Sequence, residues 1–574
     1  MPNIKLFTLI VVDSPVIEKR IRLILTDDRF SNKNYKVINN KGRFMGFRGS
    51  TVGLEKDYTP KLNIIDKKFC DKFLDLVKQS KEVFIGTYPD YRGDFQAIQI
   101  KKWLFDKGIN IPIYRIKLPC LHINFIDKQL DEKSSFITIG KYKSYLASIA
   151  INRIIDFNIN PNIGKSILDG ATAGLYKSYI LNSLIKEKKD TFKIKGFFED
   201  GIKFESKELN DIKECEKALK DIPDNIQTKL SDSRFEQEPP KVFNTFDLCR
   251  EAHNLFGFES EKTIKIATSL YLHGYISYPI TKGRGIYKSQ HDKASEYIKD
   301  ITSNDYVRSF TVSDKEIGIF PVDISIRPSQ VNTTQEFNQI YNIVWLRTIA
   351  SCSVPAVYKN FYIRYKKIIK GKGKVYSFIG FLKFSYDKSF LKYVGTNKVE
   401  FIEIKNNDTI INENDILDLI ESIGLDPSYI SRIKNSLTYH NFIKSHFETC
   451  KLYNVTDKGY LLIRYLKNNY KFLISEKFNQ KIIRYLKAVE NKKVKRSNLV
   501  ESVSKKFFDY HKNAVVKRPG TSSKCSCKNK YKIMVTNEVV FARCTNKKCK
   551  NNDSYKIRFT KDFKIKVTNK TIGD

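Results

Sequence analysis

The sequence predicts a multidomain α/β plus α protein: a parallel sheet at the N-terminus, helical and β-strand domains after it, and a small zinc-stapled ribbon at the C-terminus. Three observations predict this. Apolar strand-like runs alternate with helical patterns over the first 130 or so residues, the pattern of a largely parallel sheet. Helix-period and strand-period blocks then take turns up to about residue 510. Four cysteines, Cys525, Cys527, Cys544 and Cys549, cluster near the end.

Taken in order, LFTLIVV (6–12) is a buried strand and KFCDKFLDLVKQS (68–80) has helical spacing. EVFIGTY (82–88) is a second buried strand, DFQAIQIKKWLFDKG (94–108) a helix stopped at its glycine, and IPIYRIKL (111–118) a third strand. Residues 140–190 read as helical, including SYLASIAINRIIDFNI, and 190–240 as β-like and polar. EPPKVFNTF (238–246) opens a helical block containing FDLCREAHNLFGF and EKTIKIATSLYLHGY. Residues 335–357 form an apolar-striped helix, 358–404 alternate as strands, and 412–510 are helical again with a short β-like piece at KLYNVTDKG. KRPGTSSK (517–524) reads as a polar linker.

The chain's 574 residues suffice for several domains. Lysine and arginine exceed aspartate and glutamate to give a formal net charge of +39, which implies a polyanionic partner, nucleic acid first. No apolar run approaches the ~18 residues that span a bilayer, which argues against a membrane protein. MPNIKLFTLI runs into VVDSP without a small-residue cleavage site, so it is read as a strand and the expected location is cytoplasmic and DNA-associated. The six cysteines outside the tail are scattered and read as small buried apolar residues.

The tail cysteines are spaced C-x-C…C-x4-C around the β-like YKIMVTNEVVFAR, which fits a tetrahedral Zn²⁺ site stapling a domain too small to fold securely alone. Asp13 follows one apolar strand, and Asp90 and Asp94 in TYPDYRGD follow another. Carboxylates at neighbouring strand ends can converge on Mg²⁺, or can be ordinary turn residues. GKS (164–166) lacks the upstream glycine of a P-loop, so nucleotide hydrolysis is not expected.

Several of these stretches, in this order, resemble the type IA DNA topoisomerases. LIVVDSPVIEKRI resembles the family's opening Toprim strand, TYPDYRGD its Asp-x-Asp-Arg-Glu-Gly-Glu loop, and GATAGLYKS (170–178) its Ser-Ala-Gly-Arg-x-Gln-Ser helix start. The segment from EPPKVF to GYISYP is similar to the run leading into the nucleophile. ISIRPS (324–329) resembles Ala-Ile-Arg-Pro-Thr, and GLDPSYISRIKNSL and VTDKGY resemble later elements of the same core. The likeness covers about residues 5–490, and the cysteine tail fits the zinc ribbons many members carry.

The resemblance implies a toroid. Its parts are a Toprim-like domain (1–140), a helical domain in two parts (141–190 and 405–516), β-rich gate strands (191–240), a nucleophile-bearing helical domain (241–330), a helix with returning gate strands (331–404) and a zinc ribbon (517–574). It implies ATP-independent strand breakage by Tyr278 through a 5′-phosphotyrosine, with Arg327 gripping the phosphate and Tyr275 packing. It further implies Mg²⁺ at Asp13, Asp90 and Asp94, DNA contacts from Lys19, Arg92 and Lys177, a preference for single-stranded regions, and a monomer. Departures from the pattern are several. Tyr88, Tyr91 and Arg92 stand where the loop has Asp, Arg and Glu, and Asp94 where it has Glu. Asp13 replaces the opening Glu, Leu175 an Arg, Ile280 the Arg two past the nucleophile, and Lys282 the Asp after it, while Asp323 lies where a His is expected. Two functions therefore remain open from sequence: a divergent topoisomerase, or a catalytically impaired relative that clamps single-stranded DNA. A Toprim nuclease or primase leaves the block 240–357 without a purpose.

Overall fold

The computed structural model describes residues 6–42, 44–47, 52–133, 135–166, 171–185, 192–198, 203–209, 211–226, 228–311, 316–331, 334–365, 369–386, 399–406, 411–445, 452–512, 520–535, 540–546, 548–549, 554–559 and 565–571.

Strand β1 (Phe7–Val12) is buried along its whole length. It pairs in parallel with β2 (Tyr35–Asn39) on one side and β3 (Ser80–Gly86) on the other, and β4 (Ile113–Arg115) completes the four-stranded sheet beside β3. Side chains alternate across a strand, so β1 feeds two cores. Phe7, Leu9 and Val11 meet α2 (Lys67–Lys78) and α3 (Tyr91–Asp106) through Phe73, Val77, Ile100 and Trp103. Ile10 and Val12 face α1 (Pro15–Ile24) and, beyond it, Leu270, Tyr271, Ile276 and Tyr278 of a distant segment. Each fully buried side chain of this kind stabilises by about 1.5–3 kcal/mol. The shared core therefore presses the block carrying Tyr278 against one face of the parallel sheet.

That block comprises α6 (Thr245–Phe256), α7 (Ser260–Leu272), α8 (Lys288–Ile301) and α9 (Gln335–Ser351). Asn244 caps α6 by accepting from the Asp247 N–H at 2.8 Å, and Gly257 ends it at φ +66°, the left-handed conformation that favours glycine. A second helical region joins α4 (Ile139–Asn158) and α5 (Lys177–Leu184) to α10 (Glu413–Ser422), α11 (Tyr429–Tyr439), α12 (Asp457–Asn469), α13 (Glu476–Glu490) and α14 (Arg496–Lys512). Two stretches far apart in sequence thus share one core, including Ile151, Ile155, Leu181, Leu417, Leu462 and Val500.

Between the helical parts, β5 (Phe192–Phe198), β6 (Lys203–Ser206), β7 (Thr228–Gln237), β8 (Ala356–Tyr365), β9 (Ile369–Phe378) and β10 (Val399–Asn406) form one six-stranded antiparallel sheet. Its order is β10-β5-β6-β9-β8-β7, so strands on either side of the Tyr278 block interleave. A helix over Ile212–Lys220 interrupts the stretch expected to be only β-like. The ribbon is a five-stranded antiparallel sheet, β11 (Gly520–Lys524), β12 (Lys530–Val535), β13 (Val540–Cys544), β14 (Tyr555–Phe559) and β15 (Ile565–Thr571). The expected linker 517–524 is corrected in its second half, where Gly520–Lys524 is a strand paired to β12.

Candidate active site and metal centre

The loop between β3 and α3 is held from three directions. Asp90 caps α3, its Oδ1 accepting from the backbone N–H groups of Arg92 (3.0 Å) and Gly93 (2.8 Å). A Cβ at residue 93 would stand 2.0 Å from the Tyr88 carbonyl oxygen, so only glycine lets the helix start against the loop. From beneath, the Arg115 guanidinium, 1% exposed, donates to the carbonyls of Tyr88 (2.8 Å), Ile85 (2.9 Å) and Ile116. Arg115 also pairs with Asp94 at 3.2 Å. Asp94 is thus taken up by a buried ion pair, with Lys141 at 3.7 Å on its other oxygen.

Asp13, at the end of β1, is 2% exposed and accepts a hydrogen bond from the Tyr88 N–H. Burial, with Asp90 adding repulsion, pushes its pKa up to about 7, against the pull of the Tyr88 hydrogen bond and of Arg115. Asp90 is raised too, again mainly by burial. In metal-free buffer the sign for Asp13 follows. Its folded pKa lies above its ordinary 3.8, so the folded state is favoured at low pH and loses stability as pH rises from about 4 to about 7. Asp13→Asn is expected to stabilise the N-terminal domain at pH 8, by a few kcal/mol at most, and to have little effect at pH 4. Thermal unfolding at both pH values reads this, and an equal change at both would contradict it.

The segment 275–281 lies across from this loop. Ser277 ties it down, its N–H donating to the Phe320 carbonyl (2.9 Å) and its hydroxyl to the Gly318 carbonyl (2.8 Å). The Tyr278 N–H donates to the Pro119 carbonyl at 2.8 Å, and the Tyr271 hydroxyl to the Leu118 carbonyl at 2.7 Å, which ties the block to the chain following β4. The Tyr278 ring is 7% exposed, between Tyr271 (centroids 5.2 Å) and Tyr88 (5.6 Å). Its hydroxyl donates to Asp90 Oδ2 at 2.8 Å. Burial and the Asp90 charge hold this phenol well above its usual pKa, so it is neutral until a base and a positive charge act on it.

The structure therefore brings Tyr278, Asp90 and Asp13 together. Arg327 lies at the head of the short turn Pro328–Gln330. Its guanidinium lies 3.8 Å over the Tyr297 ring and 5.3 Å from that of Trp345, and its buried Nη1 has no hydrogen-bond partner among the described residues. Tyr275 packs edge-on against Tyr341, as expected of a packing residue. Lys177 is buried at the start of α5, donating to Thr172 (2.7 Å) and Ser436 (2.9 Å), and burial lowers its pKa to about 7. Gly170, at the head of the same motif, lies outside the described residues. Lys19 is exposed on α1, and Arg92 is exposed with Nη2 donating to the Ser428 carbonyl at 3.2 Å. Sequence reasoning missed Arg115, although an arginine inside the apolar run IPIYRIKL was a signal, since a buried charge demands partners.

In the ribbon the ligand atoms of Cys525, Cys527, Cys544 and Cys549 all lie within 4.8 Å of one another, with Sγ pairs at 3.6 Å (Cys525–Cys549) and 3.4 Å (Cys527–Cys544). Four thiolates at ~2.3 Å from one Zn²⁺ stand just under ~4 Å apart, so the set fits that ion. Among the described residues it is the one group of three or more His, Cys, Asp or Glu side chains so arranged. Chelation, or Cys544→Ser, is expected to release one zinc per chain and make the ribbon protease-sensitive while the N-terminal domain keeps its melting temperature. Unchanged protease resistance after metal loss would contradict this.

Tyr278 is thus hydrogen-bonded across to an acid of the parallel-sheet loop, and the likeness to known proteins defines the class as type IA DNA topoisomerase. The family model described as DNA topoisomerase matches residues 178–501, more than half of the chain, and the chain belongs to that family. The DNA topoisomerase 1 of Thermotoga maritima is 24% identical over 93% of this chain and 90% of its own. That of Mycoplasmoides gallisepticum is 22% identical over 82% of this chain and 78% of its own. The solved structure of full-length topoisomerase I from Thermotoga maritima superposes with a TM-score of 0.75 at 21% identity, covering 97% of this chain and all of that one. The chain is thus an isomerase acting on DNA. Among the described residues, no helix is long and apolar enough to cross a membrane.

Proposed function

We propose that Tyr278 breaks one DNA strand as a 5′-phosphotyrosine, that a second strand passes through the gap, and that the 3′-hydroxyl then reverses the reaction, all without ATP. The 2.8 Å hydrogen bond from Tyr278 to Asp90 carries this reading. The phenolic oxygen attacks the phosphorus as its proton passes to Asp90, the bond to the 3′-oxygen breaks, and that oxygen takes a proton. Asp13, with its pKa near 7, is suited to hold that proton. Two carboxylates whose surroundings set them apart are a usual division between base and acid. Arg327, with its orphaned Nη1, is poised for a phosphate on the same strand.

The acid and base roles belong to the metal-free site; where Mg²⁺ binds, Asp13 and Asp90 would hold it in their ionised forms, since it needs only one or two carboxylates beside waters and substrate phosphates, whereas Asp94 is committed to Arg115. When bound, the ion supplies charge neutralisation at the phosphate. Lys19 and Arg92 add cationic contacts, Lys177 adds one when protonated, its pKa being lowered to about 7 by burial, and the strand bound is single-stranded. Both halves of the catalytic pair come from one chain, which supports a monomer, and the seven segments from 1–140 to the 517–574 ribbon act as its working parts, in a DNA-associated cytoplasmic setting. The test is a denaturant-resistant adduct on a single-stranded oligonucleotide, mapped to its tyrosine, with and without Mg²⁺. Tight binding with no adduct in either buffer would leave the single-strand clamp instead.

A further inference from the structure

Ile280, two residues past Tyr278, offers no charge to a phosphate, yet it lies on the wall of an open cleft of about 490 Å³ where three parts of the chain meet. Ile264 of α7 and Pro427 continue the apolar wall. The polar side is Arg92 from the start of α3, with Ser428 and Arg432 from the cap and first turn of α11. Neither arginine forms an ion pair with a carboxylate among the described residues. Arg92 donates to the Ser428 carbonyl and, at 3.3 Å, to the Tyr91 hydroxyl. Arg432 is exposed, and its guanidinium rests 5.8 Å from the Tyr429 ring centroid. Ser428 is 8% exposed, and its buried hydroxyl has no hydrogen-bond partner among the described residues. Arg92 also acts electrostatically on both Asp90 and Tyr278, so the cleft adjoins the reacting pair.

Two guanidinium groups without a carboxylate ion pair among the described residues and an orphaned hydroxyl, backed by an apolar wall, are what a phosphodiester requires: forked donors for its oxygens and a dry surface for the sugar or base. We propose that this cleft is a phosphate subsite for the cleaved strand, in which Arg92 and Arg432 clamp a backbone phosphate neighbouring the scissile one and Ser428 donates to it. The charge that residue 280 does not supply is thereby delivered from two other segments. The subsite rests on Tyr278 being the nucleophile only in that the strand it holds is then the one cleaved. Arg432 is a positioning residue in it, holding the strand in register with the phenol.

The experiment uses the full chain carrying Tyr278→Phe, so that cleavage does not intrude, and a fluorescent single-stranded oligonucleotide titrated between about 50 and 200 mM salt. Arg432→Gln is expected to weaken binding roughly tenfold and to reduce the log–log salt slope by about 0.7, the signature of one lost single-strand phosphate contact. Arg432→Lys should restore the slope while recovering only part of the affinity, because a point charge does not replace a fork. Ser428→Ala should weaken binding without changing the slope. With Tyr278 restored, Arg432→Gln should raise the oligonucleotide concentration for half-maximal adduct formation far more than it lowers the maximal rate, a split that a merely structural arginine would not give. An unchanged slope and affinity in a normally melting Arg432→Gln protein overturns the subsite, even if the adduct forms normally. A reduced slope in a protein whose adduct maps away from Tyr278 upholds the subsite and removes the nucleophile assignment instead.

Discussion

Tyr278→Phe is expected to yield no denaturant-resistant DNA adduct and no plasmid relaxation, a loss of at least about four decades, because the variant would have no oxygen at this position to attack phosphorus. The substitution is otherwise mild. The ring keeps its contacts with Tyr271 and Tyr88, and the backbone N–H keeps the Pro119 carbonyl. What disappears is the hydrogen bond to Asp90 Oδ2, while Asp90 Oδ1 retains its bonds from Arg92 and Gly93. One lost hydrogen bond to a charged acceptor costs about 1.5–3 kcal/mol, so the variant still folds and still binds single-stranded DNA. Relaxation of negatively supercoiled plasmid, adduct trapping and oligonucleotide binding are measured side by side. Tyr88 and Tyr271 are near enough to serve as a control on the assignment. An adduct persisting on either one in the variant would mean that the phenol bonded to Asp90 is not the nucleophile.

The dense local patterns could be read directly from the sequence. LFTLIVV and EVFIGTY became β1 and β3, and DFQAIQIKKWLFDKG forms most of α3 and runs two residues past its end at Asp106, because unbroken apolar runs and helical spacing are properties of a few neighbouring residues. The edge strand β2 was missed because it is only half-buried and its pattern is weak. Gly520–Lys524 was read as a linker because Gly, Thr and Ser describe turns as well as an outer strand, and pairing with β12 decides between them. Tyr278 was singled out through the resemblance and Asp90 as a strand-end carboxylate for Mg²⁺, but their hydrogen bond was not legible, since 188 residues separate them and no periodicity links them. Arg432 was invisible, being one exposed arginine in an ordinary helix until folding sets it opposite Arg92. The substituted loop also reads differently in three dimensions. Losing an acid at Tyr88 removes charge from a place where Asp13 and Asp90 already repel each other, and Arg115 beneath them neutralises part of what remains.

That balance makes Asp90 the second decisive position. Asp90→Asn is expected to lower the rate of adduct formation by about 10²–10⁴-fold, the usual worth of a placed general base. Asparagine caps a helix as well as aspartate does, so the bonds from Arg92 and Gly93 survive and the melting temperature barely moves. Asp90→Ala should lose the cap as well, at a further cost of about 1 kcal/mol of stability, with no greater loss of rate. The comparison therefore separates the carboxylate's chemistry from its place in the fold. The pH dependence separates them again. A base works only when deprotonated, and burial raises the Asp90 pKa, so activity should climb with pH through a limb above the usual carboxylate range. An acid works only when protonated, so Asp13 should impose the opposite limb, a fall as pH passes about 7. In Mg²⁺-free buffer the unsubstituted enzyme is then expected to give a bell. In Asp90→Asn the rising limb disappears and the falling one stays, because each limb belongs to a different carboxylate. A variant within threefold of the unsubstituted rate, with the bell intact, would show that the phenol gives its proton elsewhere and that Asp90 serves only to cap its helix.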